Sequence, residues 1–263
     1  MSENILEINN LSKYFGGLAA VSDCSIKVKR GTITGIIGPN GSGKTTLFNL
    51  IAGNLKSSGG NVVFDDENIT DVPSYELFSK GLLRTFQIAH EFSNLSVLEN
   101  LMMVPGNQSG EKIMTALFKP GLVAQEEAVV KEKAKEVVEF LNLGHLSNEL
   151  AGVLSGGQQK LLELGRTIMV DAKLVLLDEV GAGVNRTLLK DLGTAIEKLN
   201  KEKGYTFCMI EHDMDFISRL CDPVIVMAEG SVLFKGTSKE VKNNEQVIES
   251  YLGRGSKNRN GAK

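Results

Sequence analysis

The sequence predicts an α/β fold built on a mainly parallel sheet and interrupted by a mostly helical insertion. Three observations carry this reading. Short, continuous apolar runs at Ile33–Ile37, Leu174–Leu177, Tyr205–Ile210 and Val224–Met227 have the composition of strands buried on both faces. Helical stretches separate the later runs, near Thr187–Lys201 and Asp213–Leu220. From Ser96 to about Arg166 the pattern is helical, most clearly over Gln125–Leu141, where Val130, Ala134, Val137, Val138 and Leu141 recur at helical spacing.

The elements follow in order. Ile5–Val28 reads as short strands with turn signals at Gly16-Gly17 and Arg30-Gly31. The run Ile33–Ile37 ends at Gly38, and a helical pattern starts at Lys44 with Leu47, Leu50 and Ile51 on one face. Asn61–Phe64 is a further strand and Ser74–Lys80 a short helix. Within the insertion, Glu127 and Lys131 are spaced as a favourable i,i+4 pair. There is no internal repeat and no low-complexity segment.

A chain of 263 residues spans between one and two average domains and buries a core without covalent staples. Its net charge of −3 offers no basic surplus, so no nucleic-acid partner is expected. No run of 18 apolar residues is present, so no membrane-spanning helix is expected. The opening MSENILEINN lacks a basic region followed by an apolar stretch, so no secretory signal is expected. Cys24, Cys208 and Cys221 form no C-x-x-C pair and read as small buried hydrophobes in a reducing compartment. Gly253–Lys263 is locally basic and reads as a disordered tail, with contact to anionic lipid headgroups as the alternative.

Gly38-Pro-Asn-Gly-Ser-Gly-Lys44-Thr45 matches G-x-x-x-x-G-K-[ST] between an apolar strand and a helix, the context this motif requires. Glycines let backbone N–H groups converge on phosphate without Cβ clashes, and the helix N-terminus favours an anion. Lys44 is placed to reach the β- and γ-phosphates and Thr45 to offer a hydroxyl to Mg²⁺. A second acidic element, Leu174-Val-Leu-Leu-Asp178-Glu179, ends an apolar strand in two carboxylates. Alone it would read as solvated acids at a strand end. Beside a phosphate loop, Asp178 suits the metal and Glu179 suits a general base for the attacking water. His212 follows the strand Tyr205–Ile210 at the same sheet edge, where it can donate to a γ-phosphate. His90 and His145 have no such context.

Leu154-Ser155-Gly156-Gly157-Gln158 supplies a second run of small residues at a helix start, with Ser155 and the glycine N–H groups facing a possible anion. With Lys44 and Asp178 on its flanks, it resembles the signature of ABC-transporter ATPases. Other motifs similar to that family appear in order: Gln87 in Thr85-Phe86-Gln87, Gly181-Ala-Gly-Val-Asn185, and His212. An aromatic before Gly16 matches the adenine-stacking position; Phe15 is favoured over Tyr14, with core packing the competing role. The resemblance covers Ile5 to Gly253. It implies a P-loop core with an N-terminal antiparallel β region, about residues 1–87 and 167–252, and a helical subdomain at about residues 88–166. It also implies ATP and Mg²⁺ as ligands. The implied nucleotide contacts are Phe15, Gly38, Asn40, Gly41, Ser42, Gly43, Lys44, Thr45 and Thr46, and across a dimer Ser155, Gly156, Gly157 and Gln158. Thr45, Gln87 and Asp178 are the implied metal ligands, and Glu179, His212, Gln87 and Lys44 the catalytic set.

The resemblance further implies a head-to-tail dimer with a second ABC ATPase subunit, a paralogue or another copy. Two membrane permeases and, indirectly, a periplasmic solute-binding protein would join it, with this chain peripheral on the cytoplasmic face of the inner membrane. Tyr14–Val21, Arg84–Gln87, the insertion around Ala116–Lys119, Asn185 and the ending Glu249–Gly253 are similar to ATPases of branched-chain amino-acid importers. ATPases of urea and short-chain amide importers share most of these marks, and those of lipopolysaccharide exporters share the core. Val180 stands where the family usually has Pro, and Lys160 where Arg is common. A GTPase is excluded because Asn200-Lys-Glu-Lys203 lacks the Asp of a guanine-reading motif. A chromosome-organising ATPase is excluded because the stretch from Lys44 to Ser155 has no sustained heptads.

Overall fold

The computed structural model describes residues 2–85, 92–106 and 108–252. Along the chain, β1 (Asn4–Phe15) and β2 (Leu18–Lys29) precede β3 (Ile33–Ile37), α1 (Lys44–Ile51), β4 (Gly59–Phe64), β5 (Glu67–Asn68), α2 (Ser74–Lys80) and β6 (Leu82–Arg84). Then come α3 (Val97–Met102), α4 (Ile113–Phe118), α5 (Pro120–Phe140) and α6 (Gly156–Met169). The chain continues through β7 (Leu174–Asp178), α7 (Arg186–Lys203), β8 (Thr206–Ile210) and α8 (Met214–Leu220). It closes with β9 (Val224–Ala228), β10 (Ser231–Gly236), α9 (Ser238–Asn243) and α10 (Glu245–Leu252). Two compact units result. One comprises Met1–Arg84, Lys173–Glu179 and Glu197–Lys263, the other Thr85–Ala172 and Val180–Ile196.

The first unit holds two sheets. One is antiparallel in the order β2-β1-β4-β5, and the other runs β10-β9-β3-β8-β7-β6. The second is parallel except at its β10 edge. Every residue of β3, β7 and β8 is buried, as continuous apolar runs require when both faces are covered. Leu47, Phe48 and Ile51 of α1 belong to one buried cluster with Leu6, Ile8 and Phe64 of the antiparallel sheet and Ile36 and Met227 of the parallel one. This packing fixes the helix that leaves the phosphate loop.

The N-terminal region differs from the sequence reading: β1 and β2 are two twelve-residue strands, not several short ones. Asn10 and Asp23 adopt left-handed backbone (φ 48° and 50°), and Asn10 Nδ2 donates to Asp23 Oδ1 at 2.7 Å. The register shifts nearby, between Ile8 and Leu11. Bulges of this kind absorb polar residues inside one ladder, and those residues look like breaks in the sequence. Between β4 and β5, Asp65 and Asp66 both have positive φ (51° and 67°), the requirement of a two-residue type I′ hairpin. Asp65 then accepts from Arg30 Nη2 and Lys173 Nζ, each at 2.6 Å.

In the second unit α3, α5 and α6 pack together around buried Leu101, Ala134, Val137, Val138, Leu161 and Leu162. Gly165 sits at the contact: a Cβ there would lie 2.7 Å from Leu141 Cδ1 and 3.2 Å from Val137 Cγ1. The apolar periodicity of α5 therefore marks its packed face. The Glu127–Lys131 pair does not form among the described residues; on this solvated helix Lys135 pairs with Glu132 instead, at 2.7 Å. Asn100 is fully buried and closes the loop before α3, accepting from Phe92 N–H and donating to the carbonyls of Phe92, Leu95 and Ser96. Among the described residues, no helix is long and apolar enough to cross a membrane.

Candidate functional site

The phosphate-loop motif connects β3 to α1. Gly38 is held at φ 152°, where a Cβ would lie 2.1 Å from Met227 O; at Gly43 (φ 97°) it would lie 2.3 Å from Ala20 O. Any side chain at either place would force the loop open, so glycine is required by approach as well as by backbone angle. No side chain caps the N-terminus of α1, and its first turn carries no acid. An uncapped helix start of this kind offers N–H groups and partial positive charge to an anion. Asn40, Gly41 and Thr45 are exposed, Gly38, Ser42 and Lys44 buried, and Gly43 and Thr46 intermediate.

Lys44 folds into this loop. Its Nζ donates to Gly38 O at 2.8 Å, Pro39 O at 3.1 Å and Ser42 Oγ at 3.4 Å. Burial pushes its ammonium below the usual lysine range, opposed by the carboxylates of Glu179 and Asp178. The ammonium is thus poorly solvated and held only by neutral oxygens of the loop, contacts that an anionic phosphate can replace with a stronger, charge-assisted one.

Asp178 ends β7 and is buried. Glu179 follows with positive φ (51°), its N–H donating to Ile210 O of β8 at 2.9 Å. That turn aims its side chain at His212, whose Nε2 lies 2.8 Å from Glu179 Oε1. Thus Asp178, Glu179 and His212 lie at the C-terminal ends of β7 and β8, and the loop that carries Lys44 leaves the C-terminal end of β3 in the same sheet, the edge where such sheets bind ligands. Thr45 and Asp178 are hard oxygen donors, a set that suits Mg²⁺ held jointly with phosphate oxygens and water.

The sequence reading missed a partner of this group. Arg84, the last residue of β6, donates through Nη2 to Asp178 Oδ2 at 2.7 Å and through Nη1 to Asn49 Oδ1 on α1. A basic residue closing an apolar strand at the ligand edge is the signal that could have found it.

Phe15 and Tyr14 end β1, 48% and 49% exposed, which rules out core packing for either ring. Lys13 Nζ lies 5.2 Å from the centre of the Phe15 ring. Ser155, Gly156, Gly157 and Gln158 belong to the second unit at the start of α6. Ser155 is the N-cap, and its N–H and Oγ both donate to Gln158 Oε1 at 2.9 Å. Lys160 is buried beside Glu163, 3.4 Å away. In the loop after Glu179, Val180 is buried and Asn185 Oδ1 accepts from Leu188 N–H at 2.9 Å, opening α7. Gln87 and the basic end Gly253–Lys263 lie outside the described residues.

The ABC transporter family model matches residues 21–182, and the branched-chain amino acid ATP-binding cassette transporter model matches residues 231–257. A probable branched-chain amino acid transport ATP-binding protein LivG from Archaeoglobus fulgidus is 43% identical over 249 residues, covering 95% of each chain. The high-affinity branched-chain amino acid transport ATP-binding protein BraF of Pseudomonas aeruginosa is 36% identical, covering 96% of this chain and 99% of that one. Among solved structures, a nucleotide-free ATP-binding cassette from an ABC transporter superposes with a TM-score of 0.80 at 40% identity, over 95% of this chain and 99% of that one. An ADP-bound cassette of an ABC transporter gives 0.81 at 39%, over 96% of this chain and 100% of that one.

Proposed function

This chain belongs to the ABC transporter family as an ATP-hydrolysing subunit, and from that premise we propose that it powers an importer of branched-chain amino acids. The names of its relatives and the match at residues 231–257 support that substrate class. Phe15 stacks on adenine. The loop N–H groups and Lys44 hold the β- and γ-phosphates, with Asn40, Ser42 and Thr46 completing the cradle. Thr45, Asp178 and Gln87 hold Mg²⁺, which when bound neutralises charge on the phosphates. Glu179 takes the proton of the attacking water, and His212 shares its single Nε2–H between Glu179, which it orients, and the γ-phosphate.

The second cradle, Ser155–Gln158, serves the nucleotide of a second ATPase subunit in a head-to-tail dimer, either a paralogue or another copy. Two permeases are moved by that dimer, fed by a periplasmic solute-binding protein, and the chain sits peripherally on the cytoplasmic face of the inner membrane.

The contact of Glu179 with His212 beside a buried Lys44 carries the chemical part of this reading. Its test is Mg²⁺-dependent ATP hydrolysis by the purified chain. The transport part is tested in vesicles holding both permeases and both ATPases. ATP-driven uptake of leucine, isoleucine or valine supports it; uptake of urea or amides alone overturns the substrate.

A further inference from the structure

Arg84 and Asp178 make a buried ion pair at the edge of the parallel sheet, with side chains 11% and 5% exposed. The guanidinium is held at both ends of its fork. Nη2 takes Asp178 Oδ2, and Nη1 takes Asn49 Oδ1 on the helix that begins at Lys44. Its Nε is buried with no partner among the described residues. The fork is thus spent on fixing the carboxylate rather than on satisfying the guanidinium itself. Arg84 takes only Oδ2 of the carboxylate, so the other oxygen, Oδ1, stands outside the ion pair.

We propose that Arg84 is a positioning residue that sets the order of metal loading: it cancels the charge of Asp178 and reserves Oδ1 for the cation, so that a divalent ion enters only together with a nucleotide. This rests on the reading of Asp178 as a metal ligand. A carboxylate paired with a guanidinium in a poorly solvated site presents no net charge to a bare divalent ion. Mg²⁺ dehydrates reluctantly, so a neutral pair plus one hydroxyl does not repay its lost water. Triphosphate oxygens supply the missing negative charge and most of the ligands. The same pair keeps the carboxylate from swinging, because Asn49 anchors the guanidinium to the helix that starts in the phosphate loop.

The experiment is a titration of nucleotide-free protein with Mn²⁺, followed by electron paramagnetic resonance of the free ion. The wild-type protein shows no saturable Mn²⁺ site without nucleotide and gains one with ATP. Arg84→Gln binds Mn²⁺ without nucleotide at least about tenfold more tightly than wild type, since an uncompensated carboxylate then faces the ion. The gain disappears in Arg84→Gln/Asp178→Asn. Arg84→Lys, which keeps the charge, stays within about threefold of wild type. A purely structural role would lower the melting temperature of Arg84→Gln without creating a metal site. The proposal is overturned if wild-type protein without nucleotide binds Mn²⁺ saturably at a site lost in Asp178→Asn, a result that needs no Arg84 variant to fold. A folded Arg84→Gln with no gain in Mn²⁺ affinity overturns it equally. Failure of wild-type protein to bind ATP with Mg²⁺ would instead overturn the reading of the site itself.

Discussion

Glu179 Oε1 lies 2.8 Å from His212 Nε2, and Glu179 reaches it from a left-handed backbone position at the end of β7. A carboxylate can only accept, so Nε2 carries the proton in this contact. The pair holds the carboxylate in place, ready for a water.

Glu179→Gln keeps the shape and loses the base. ATP affinity is expected to stay near wild type while turnover falls by at least about a hundredfold. Equilibrium nucleotide binding and phosphate release, measured side by side, check this; near-normal hydrolysis would remove Glu179 from its role. His212→Ala is expected to slow turnover by about tenfold or more, since it removes the hydrogen bond that His212 gives Glu179.

Lys44→Ala is expected to weaken ATP binding by about ten- to a hundredfold, the worth of a charge-assisted contact to phosphate. Fluorescent nucleotide titration measures it. Unchanged affinity would mean that the ammonium stays folded onto Gly38 O and Pro39 O when nucleotide binds.

Most of the parallel sheet was legible because β3, β7 and β8 are dominated by apolar residues, with Thr34, Thr206 and the terminal Asp178 their polar members, and the phosphate loop because its glycines and Lys44 are close together in sequence. The long N-terminal strands were not. Polar Asn10 and Asp23 interrupt the alternation, and only the paired ladder reveals them as bulges. The Arg84–Asp178 pair was hidden for a different reason. Its members are 94 residues apart, and only the parallel pairing of β6 with β7 brings them together.

Gly157→Ala would place a Cβ 2.4 Å from Leu188 Cδ1 and 2.8 Å from Leu188 Cβ. The overpacking is expected to cost about 1–3 kcal/mol. Adding Leu188→Ala should recover part of that loss in urea unfolding; no recovery would locate the strain elsewhere.

Asp65 carries a carboxyl held below the usual aspartate range by hydrogen bonds from Lys173 and Arg30. A depressed carboxyl stabilises the fold above its unfolded pKa, and that contribution is lost as pH falls through the folded value. Asp65→Asn keeps a residue suited to the type I′ turn and removes only the charge. It is expected to lower stability by about 1 kcal/mol at neutral pH. The gap should close as pH drops below the usual aspartate value of 3.8. Parallel melting curves at neutral and acid pH test this, and a gap that does not change with pH would contradict it.

Cys24, Cys208 and Cys221 are all buried, and burial pushes the first two thiols up to about 12 and the third higher still. None is a nucleophile at neutral pH. Ellman's reagent should find no fast-reacting thiol in the native protein and all three in guanidinium; a fast native reaction would show that one of these sites opens.

The central strand β3 has no partner from its own part of the chain. Its neighbours are β8 and β9, with Ile33 opposite Phe207 and Gly35 opposite Val224. The antiparallel sheet, by contrast, is assembled entirely from β1, β2, β4 and β5, all within the first 68 residues. Closing β3 onto β8 costs the entropy of a very long loop, and pairings of such high contact order form late. During synthesis the antiparallel sheet can form first, while the strand that carries the phosphate loop waits for more than half the chain to emerge. The loop is thus shaped only once Met227 of β9 has arrived to pack against Gly38. Refolding followed at β1–β2 should accordingly run ahead of recovery of nucleotide binding.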